Sequence, residues 1–183
     1  MDESFVALLD LLQPLSSTFC LSFIESFGFA TDEQFAFENF CSRANLSTLS
    51  FECYGSDAAS LAELIIGIPT LETLVLDSTV LTSEFFHILA YYPNTITSEG
   101  PLSNKSALRN LHIRQCGVIP SKLRELVTAR SIEHLELWHC NLPRSLVENG
   151  SQDSSDEADE LPMDLREWLQ DNVPSFHFTA LSK

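Results

Sequence analysis

The residues of this sequence that could carry chemistry are chiefly five cysteines and five histidines. No C-x-x-C pair occurs, and no pair of these residues has a tight metal-ligand spacing. His139-Cys140 has the residue types of a base and a nucleophile, but adjacent strand residues point to opposite faces of a sheet. The sequence also lacks G-x-S-x-G, H-E-x-x-H and P-loop patterns. We therefore predict that the protein is not an enzyme and that it holds no metal and no cofactor.

A second set of polar and aromatic residues alternates with leucine along short segments. Residues 108–116 (LRNLHIRQC) and 132–140 (IEHLELWHC) both read L-x-x-L-x-L-x-x-C, with Ile allowed for Leu. Similar L-x-x-L-x-L segments begin at Leu46 and Leu71. Where no loop intervenes, the segments recur at a nearly constant spacing. This spacing lies within the period of the leucine-rich repeat.

Helical patterns lie between these segments, so strand and helix are predicted to alternate about six times. The predicted fold class is α/β, a leucine-rich-repeat solenoid with a curved, mostly parallel sheet and outer helices. Residues 1–17 are interpreted as an N-terminal helix or cap, and residues 18–183 as an irregular solenoid. Two inserted loops interrupt it, a polar one at 94–106 and an acidic, disordered one at 148–160. The predicted helices are 4–13, 31–40, 57–66, 83–90, 121–129 and 162–172, with further strands at 18–23 and 173–178.

The residues between the strand leucines are the candidate binding residues. Side chains alternate along a strand, so the leucines point into the core and the intervening residues point to the concave surface. If the units stack in register, three rows result: Val75, His112, Glu136 and His177; Asp77, Arg114 and Trp138; and Asn110 with His134.

These rows have the composition of a binding hot spot, a tryptophan flanked by arginine, histidine and carboxylates. The alternative is an ordinary polar face on which Trp138 merely stacks on its neighbours. The two central histidines could make binding pH-sensitive, or could simply be exposed. The predicted partner-binding residues are Asp77, Asn110, His112, Arg114, His134, Glu136 and Trp138.

Cysteine at the ninth position of these strand-helix units resembles the cysteine-containing leucine-rich repeats of F-box proteins, especially the degenerate, interrupted repeats of fungal F-box-like proteins. The resemblance implies a ribonuclease-inhibitor-like solenoid in which Cys116 and Cys140 pack inside the turn after each strand. It also implies that the chain is the part of a ubiquitin-ligase adaptor that recognises the substrate, and that it docks to a Skp-type adaptor. The chain departs from the family in lacking a recognisable F-box. In the units that begin at Leu46 and Leu71, the ninth residue is Tyr54 and Thr79 instead of cysteine, although threonine can still hydrogen-bond to the backbone of the turn.

Composition restricts the partners. The formal net charge is −16, with 26 acidic against 10 basic residues. This balance argues against binding a nucleic-acid backbone or an anionic membrane, and is compatible with a basic protein partner or with solubility alone. An odd number of separated cysteines and no export signal indicate reduced thiols in the cytoplasm, the nucleus or both. We expect a monomer.

The acidic loop carries one further candidate site. Ser154 and Ser155 precede acidic residues at a spacing that suits an acid-seeking kinase, and a solvated spacer is the alternative interpretation. The function predicted from the sequence is protein recognition, as the substrate-receptor part of an F-box-type ubiquitin-ligase adaptor. The alternatives are a leucine-rich-repeat scaffold outside the ubiquitin pathway, a hydrolase or metal protein, and a degenerate or truncated product.

Overall fold

The computed structural model describes residues 31–52, 58–91, 107–142 and 161–180. Within these residues helices and strands alternate strictly along the chain. The predicted segments 4–13, 18–23, 94–106 and 148–160, together with Tyr54, Ser154 and Ser155, lie outside the described residues. The elements are α1 (Thr31–Ala44), β1 (Thr48–Glu52), α2 (Ala58–Ile66), β2 (Thr73–Asp77), α3 (Ser83–Tyr91), β3 (Asn110–Arg114), α4 (Pro120–Arg130), β4 (His134–Trp138), α5 (Met163–Asn172) and β5 (Ser175–Thr179).

The five strands form one sheet in which every neighbouring pair is parallel. Their order in the sheet is their order in the chain, β1 to β5. Each strand has five residues and pairs with the next without a register shift. The predicted α/β class and the predicted parallel sheet are confirmed.

Alternate residues of the strands build the core. In β1 to β4 the second and fourth residues are at most 1% exposed, while the first, third and fifth are partly exposed. The corresponding Phe176 and Phe178 of β5 are only partly buried. This alternation follows from the pleat, which sends successive side chains to opposite faces. The core residues are Leu49, Phe51, Leu74, Leu76, Leu111, Ile113, Leu135 and Leu137.

The helices pack in series, α2 on α3, α3 on α4 and α4 on α5. Helix α3 contributes Phe85 and Phe86, which are at most 1% exposed and meet edge to face. Between α4 and α5 lies a groove of about 310 Å³. Arg124 bridges the two helices by donating to Asp164 at 2.8 Å and lying over the ring of Trp168.

Two details of the helices differ from the sequence prediction. Helix α1 extends to Ala44, four residues beyond the predicted end at Phe40, since nothing between them breaks a helix. Phe35 of this helix is 66% exposed, whereas Phe37 and Phe40 are buried. No described helix is long and apolar enough to span a membrane.

A common corner follows each central strand. Ser78, Gln115 and His139 immediately follow β2, β3 and β4, and each has a positive φ between 51° and 53°. The amide of each donates to the carbonyl of the last residue of the next strand, at 2.8 to 2.9 Å. Side chains other than glycine reach this left-handed conformation only at a cost. The inter-strand hydrogen bond therefore helps to hold an unfavourable backbone conformation in place.

The thiols of Cys116 and Cys140 lie inside these corners. The Cys116 thiol donates to the Arg114 carbonyl at 3.0 Å and accepts the Thr79 amide at 3.4 Å. The Cys140 thiol donates to the Ile113 carbonyl at 3.1 Å. Thr79 uses the same geometry, because its hydroxyl donates to the Asp77 carbonyl at 2.9 Å. The predicted packing of the ninth residue inside the turn is confirmed at these three positions.

Candidate functional site

The candidate site lies on the sheet face formed by the first, third and fifth residues of each strand, which we call the open face. The strand register aligns these residues into three rows of five. The first row is Thr48, Thr73, Asn110, His134 and Ser175. The second row is Ser50, Val75, His112, Glu136 and His177. The third row is Glu52, Asp77, Arg114, Trp138 and Thr179.

The register confirms the rows that the sequence predicted, and it brings all seven predicted binding residues onto one face. The alignment holds from β2 to β3 even though residues 94–106 intervene, and from β4 to β5 even though residues 148–160 intervene. The register is therefore kept across connections of different length, because each strand must place its alternate apolar residues on the buried face of the sheet.

Glu136 is the electrostatic centre of the open face. Its Oε2 atom lies 2.5 Å from Nδ1 of His112 and 3.4 Å from Nη2 of Arg114. The hydrogen bond from His112 is the main cause that lowers the pKa of Glu136, and Arg114 adds to it. Because a carboxylate can only accept, Nδ1 of His112 carries the proton and donates it. The Nε2 atom of His112 remains to interact with a ligand.

Arg114 keeps unused donor capacity. Its side chain is 38% exposed, and its 3.4 Å bond to Glu136 is long for a charge-assisted hydrogen bond. Among the described residues its Nε atom is buried and has no hydrogen-bond partner. A guanidinium presents five N–H donors in a planar fork. The buried Nε cannot reach a partner, so the Nη hydrogens that are not donated to Glu136 are the ones that can bind a carboxylate or a carbonyl of a partner.

Three histidines lie next to one another across β3, β4 and β5. The ring centroids of His112 and His134 are 5.2 Å apart, and those of His134 and His177 are 5.7 Å apart. Nδ1 of His134 is 2.8 Å from the Ser175 hydroxyl. Burial, followed by the charges of His112 and His177, lowers the pKa of His134. The first two histidines are therefore partly buried and hydrogen-bonded, which differs from the simple exposure considered as an alternative.

Trp138 is half-buried at the third-row end of β4. Its ring stacks on that of His139, with centroids 4.1 Å apart and planes 17° from parallel. His139 reaches it because the chain turns through the left-handed conformation there, so this residue does not follow the strand alternation. The stacking on a neighbour agrees with the more ordinary interpretation of Trp138, and it also holds the indole in a fixed orientation beside Arg114.

The remaining predicted residues also have fixed side chains. Asn110 donates to the Thr73 hydroxyl at 2.9 Å. Asp77 accepts from the Ser78 hydroxyl at 3.0 Å. The first of these contacts joins β2 to β3 in the first row, and the second holds Asp77 against the residue that follows it.

The buried thiols lie apart from the open face and are poor nucleophiles. Burial raises the pKa of Cys116 to about 12 and that of Cys140 to about 11, so both are thiols at neutral pH. Within the described part of the chain, no three His, Cys, Asp or Glu side chains converge to hold a metal ion. The arrangement supplies hydrogen bonds, charge and aromatic surface, which are the means of binding.

The sequence prediction missed three residues of this face. Ser175 fixes His134, Thr73 fixes Asn110, and His139 orients Trp138. The first two occupy first-row positions of their strands, and the repeat spacing alone could have identified them. No sequence pattern indicates the left-handed turn at His139.

Protein-family models, curated proteins and solved structures were all compared with this chain, and none matches it. The class that the structure defines is therefore an α/β protein built on a five-stranded parallel sheet in chain order.

Proposed function

We propose that this protein is a leucine-rich-repeat type recognition module that binds a protein partner through the open face of its sheet. The observation that carries the proposal is the alignment of Arg114, Glu136 and Trp138 with three histidines on adjacent, in-register strands. Fixed side chains on regular strands lose little freedom on binding, which favours affinity.

The repeat architecture is supported by three independent regularities. Equivalent residues of β3 and β4 pair in register along the whole of both strands, the leucine positions are buried in every central strand, and the corners after β2, β3 and β4 share one conformation. Stacked units of this kind bury an apolar face that one unit cannot bury alone, and they leave a broad surface for a partner.

Trp138 and Arg114 are the first residues to test. Replacing Trp138 by alanine removes a partly buried aromatic ring from the open face. The buried neighbour Leu137 points to the opposite face, so the core is not opened. We expect partner affinity to fall by at least about thirtyfold, corresponding to about 2 kcal/mol, as for a hot-spot residue. Thermal stability should remain close to that of the wild type. If Trp138→Ala unfolds the chain, Trp138 belongs to the core and the proposed site is wrong.

Arg114→Gln provides the electrostatic test, with Arg166→Gln on α5 as its matched control. Arg166 lies over the ring of Phe178, away from Glu136. The partner for these measurements is obtained by affinity purification of the tagged chain from its own cells, followed by mass spectrometry. A true partner should be lost with Arg114→Gln and Trp138→Ala and retained with Arg166→Gln. Equal capture by all variants would place the binding surface elsewhere.

The resemblance to F-box proteins with leucine-rich repeats suggests the pathway, and we propose that the partner is a substrate of a ubiquitin ligase. Co-purification of a Skp-type adaptor and a cullin subunit would support this assignment. A defined partner without those subunits would favour a recognition scaffold outside the ubiquitin pathway. Both outcomes leave the role of the open face intact.

A further inference from the structure

Three imidazoles lie side by side on the open face, those of His112, His134 and His177, which we call the histidine cluster. The three rings follow one another across adjacent strands, 5.2 and 5.7 Å apart between centroids. His177 is exposed, and the other two are partly buried. The proposed function leaves open what chemistry these three imidazoles supply to the open face.

Among the described residues, few other charged groups face the cluster. On the open face of β3 and β4 these are Arg114 and Glu136. The Glu136 carboxylate pairs with Arg114 and also accepts a hydrogen bond from His112 of the cluster. On β2 the second-row neighbour of His112 is Val75, and the carboxylate of Asp77 lies one row further, level with Arg114. Arg109 and Glu133, which precede β3 and β4, form their own exposed pair at 3.3 Å.

The charge of this region therefore depends on the imidazoles. With neutral histidines, Arg114 and Glu136 cancel and Asp77 leaves one negative charge, so this region becomes positive once two imidazoles are protonated. Each proton taken up by the cluster adds one positive charge, on a chain whose formal net charge is −16. The cluster is thus a local cationic area on an acidic protein at mildly acidic pH, and it is complementary to an anionic group.

We propose that the histidine cluster binds an anionic group on an acidic segment of the protein partner, and that this binding is coupled to proton uptake by the imidazoles. The inference rests on the proposed function for the partner being a protein. The anion is a carboxylate or a phosphate, since both accept hydrogen bonds from imidazolium N–H groups.

The geometry explains the coupling. Burial and the neighbouring imidazoles disfavour a charge on His134, and its pKa is lowered accordingly. A docked anion replaces this repulsion by attraction, so protons bind together with the anion. By linkage, affinity should rise as pH falls, by up to about tenfold per pH unit for each proton taken up.

The first test needs no partner. The protonation of each histidine is followed by NMR of the imidazole C–H groups of the full chain, in sodium sulfate and in sodium chloride at matched ionic strength. Sulfate is the probe, and it stays a dianion throughout the titration. We expect the titration midpoints of the cluster to rise by about half a unit or more in sulfate.

His87 is the internal control, because it lies on α3 beside Glu125 and away from the open face. Its midpoint should not differ between the two salts. Equal midpoints in sulfate and chloride for the cluster, or an equal rise at His87, would overturn the inference.

The second test separates a protein-borne anion from a free one. A random twelve-residue peptide library displayed on phage is selected on the immobilised full chain at pH 6.0 and at pH 8.0. We expect peptides enriched in Asp and Glu at pH 6.0, with that enrichment reduced at pH 8.0 and lost in the His134→Gln/His177→Gln variant. The single variant His177→Gln, at an exposed position, serves if the double variant fails to fold.

The peptide selection distinguishes a failure of the histidine inference from a failure of the proposed function. Selected peptides without acidic enrichment, or no selected peptides, would show that the cluster does not bind an acidic segment, even if sulfate binds. Peptides lost in Trp138→Ala but unaffected by the histidine variants and by pH would leave the proposed function standing and refute the histidine inference.

Discussion

At the scale of single residues, Glu136 shows how one carboxylate organises the open face. It accepts from both His112 and Arg114, and these two bonds fix the side chains that would meet a partner. The interaction has a predictable pH dependence, because hydrogen bonding to the charged form lowers the pKa of Glu136.

We expect the difference in thermal stability between the wild type and Glu136→Gln to depend on pH. A carboxyl with a lowered pKa stabilises the folded state above its ordinary pKa, and this contribution is lost as pH falls through the lowered value. The advantage of the wild type should shrink below about pH 4.5, as the Glu136 carboxylate becomes protonated. Calorimetry between pH 7 and pH 3.5 measures it.

Glu133→Gln is the control for this series. Glu133 is 57% exposed and meets only the exposed Arg109 among the ion pairs of the described residues. Surface pairs of this kind contribute little. A difference that grows at low pH for Glu136→Gln, or that is as large for Glu133→Gln, would contradict the assigned role of the carboxylate.

Cys116 allows the contribution of the corner hydrogen bonds to be measured. Thr79 and Cys116 both donate to the carbonyl two residues earlier, so Cys116→Thr should retain a donor to that carbonyl and an acceptor for the Thr79 amide, whereas Cys116→Val, with the same shape, removes both. We expect Cys116→Val to be less stable than Cys116→Thr by about 1 kcal/mol. For a chain of this length that difference corresponds to about 2–4 °C in Tm.

The informative result is which of these two variants is the more stable. If Cys116→Val is as stable as Cys116→Thr or more stable, packing of the methyl groups outweighs the hydrogen bond. The cysteine would then be present for its apolar volume, as buried cysteines often are.

At the scale of elements, the corners after β2, β3 and β4 are the places where the backbone leaves the extended conformation of the strands and side chains stop alternating between the two faces of the sheet. Gln115 is exposed and has a φ of 51°, so its side chain contributes little beyond its backbone conformation. We expect Gln115→Gly to be more stable than Gln115→Ala by about 1 kcal/mol, because only glycine reaches this conformation without strain. Chemical denaturation of the two variants measures the difference.

Thr128 provides a control of opposite sign. It is exposed within α4, and both alanine and glycine would remove its hydroxyl bond to the Arg124 carbonyl. Thr128→Gly should be less stable than Thr128→Ala by about 1 kcal/mol, as in any helix interior. The same sign at both positions would show that the corner conformation is not what distinguishes Gln115.

The same elements show how far the sequence predicts the structure. The described strands and helices were predicted to within a few residues, because apolar residues that alternate along a strand can be buried together on only one face of a sheet. The rows of the open face followed from the same spacing. What could not be predicted depends on tertiary contacts, such as the exposure of Phe35, the stacking of His139 on Trp138, and the closeness of the three imidazoles.

At the scale of the whole molecule, charge opposes compactness. A formal charge of −16 repels itself, whereas exposed pairs such as Arg109–Glu133 contribute about 0–1 kcal/mol each. Repulsion should therefore dominate. We expect Tm to rise when NaCl is raised from about 20 to 200 mM, since the screening length falls through about 10 Å near 0.1 M.

KCl at the same concentrations is the control for this measurement. An equal rise with both salts indicates screening, and a rise with only one indicates binding of a particular ion. A fall in Tm with salt would mean that the favourable ion pairs outweigh the repulsion between acidic groups.

The corner hydrogen bonds also determine how the chain can be shortened. Each corner is completed by the next strand, through bonds such as Ser78 to Arg114 and Gln115 to Trp138. The amides of Asn110 and His134, the paired first residues of β3 and β4, donate to equivalent carbonyls of the preceding unit, those of Glu72 and Arg109. Deleting the segment from Asn110 to Glu133 would thus join two equivalent points. β4 would then occupy the place of β3, and Cys140 would receive the Thr79 amide in place of Cys116. We expect such an excision to remove one strand and one helix and to leave the remaining strands in register, because the hydrogen-bonding groups on the two sides of the cut are equivalent.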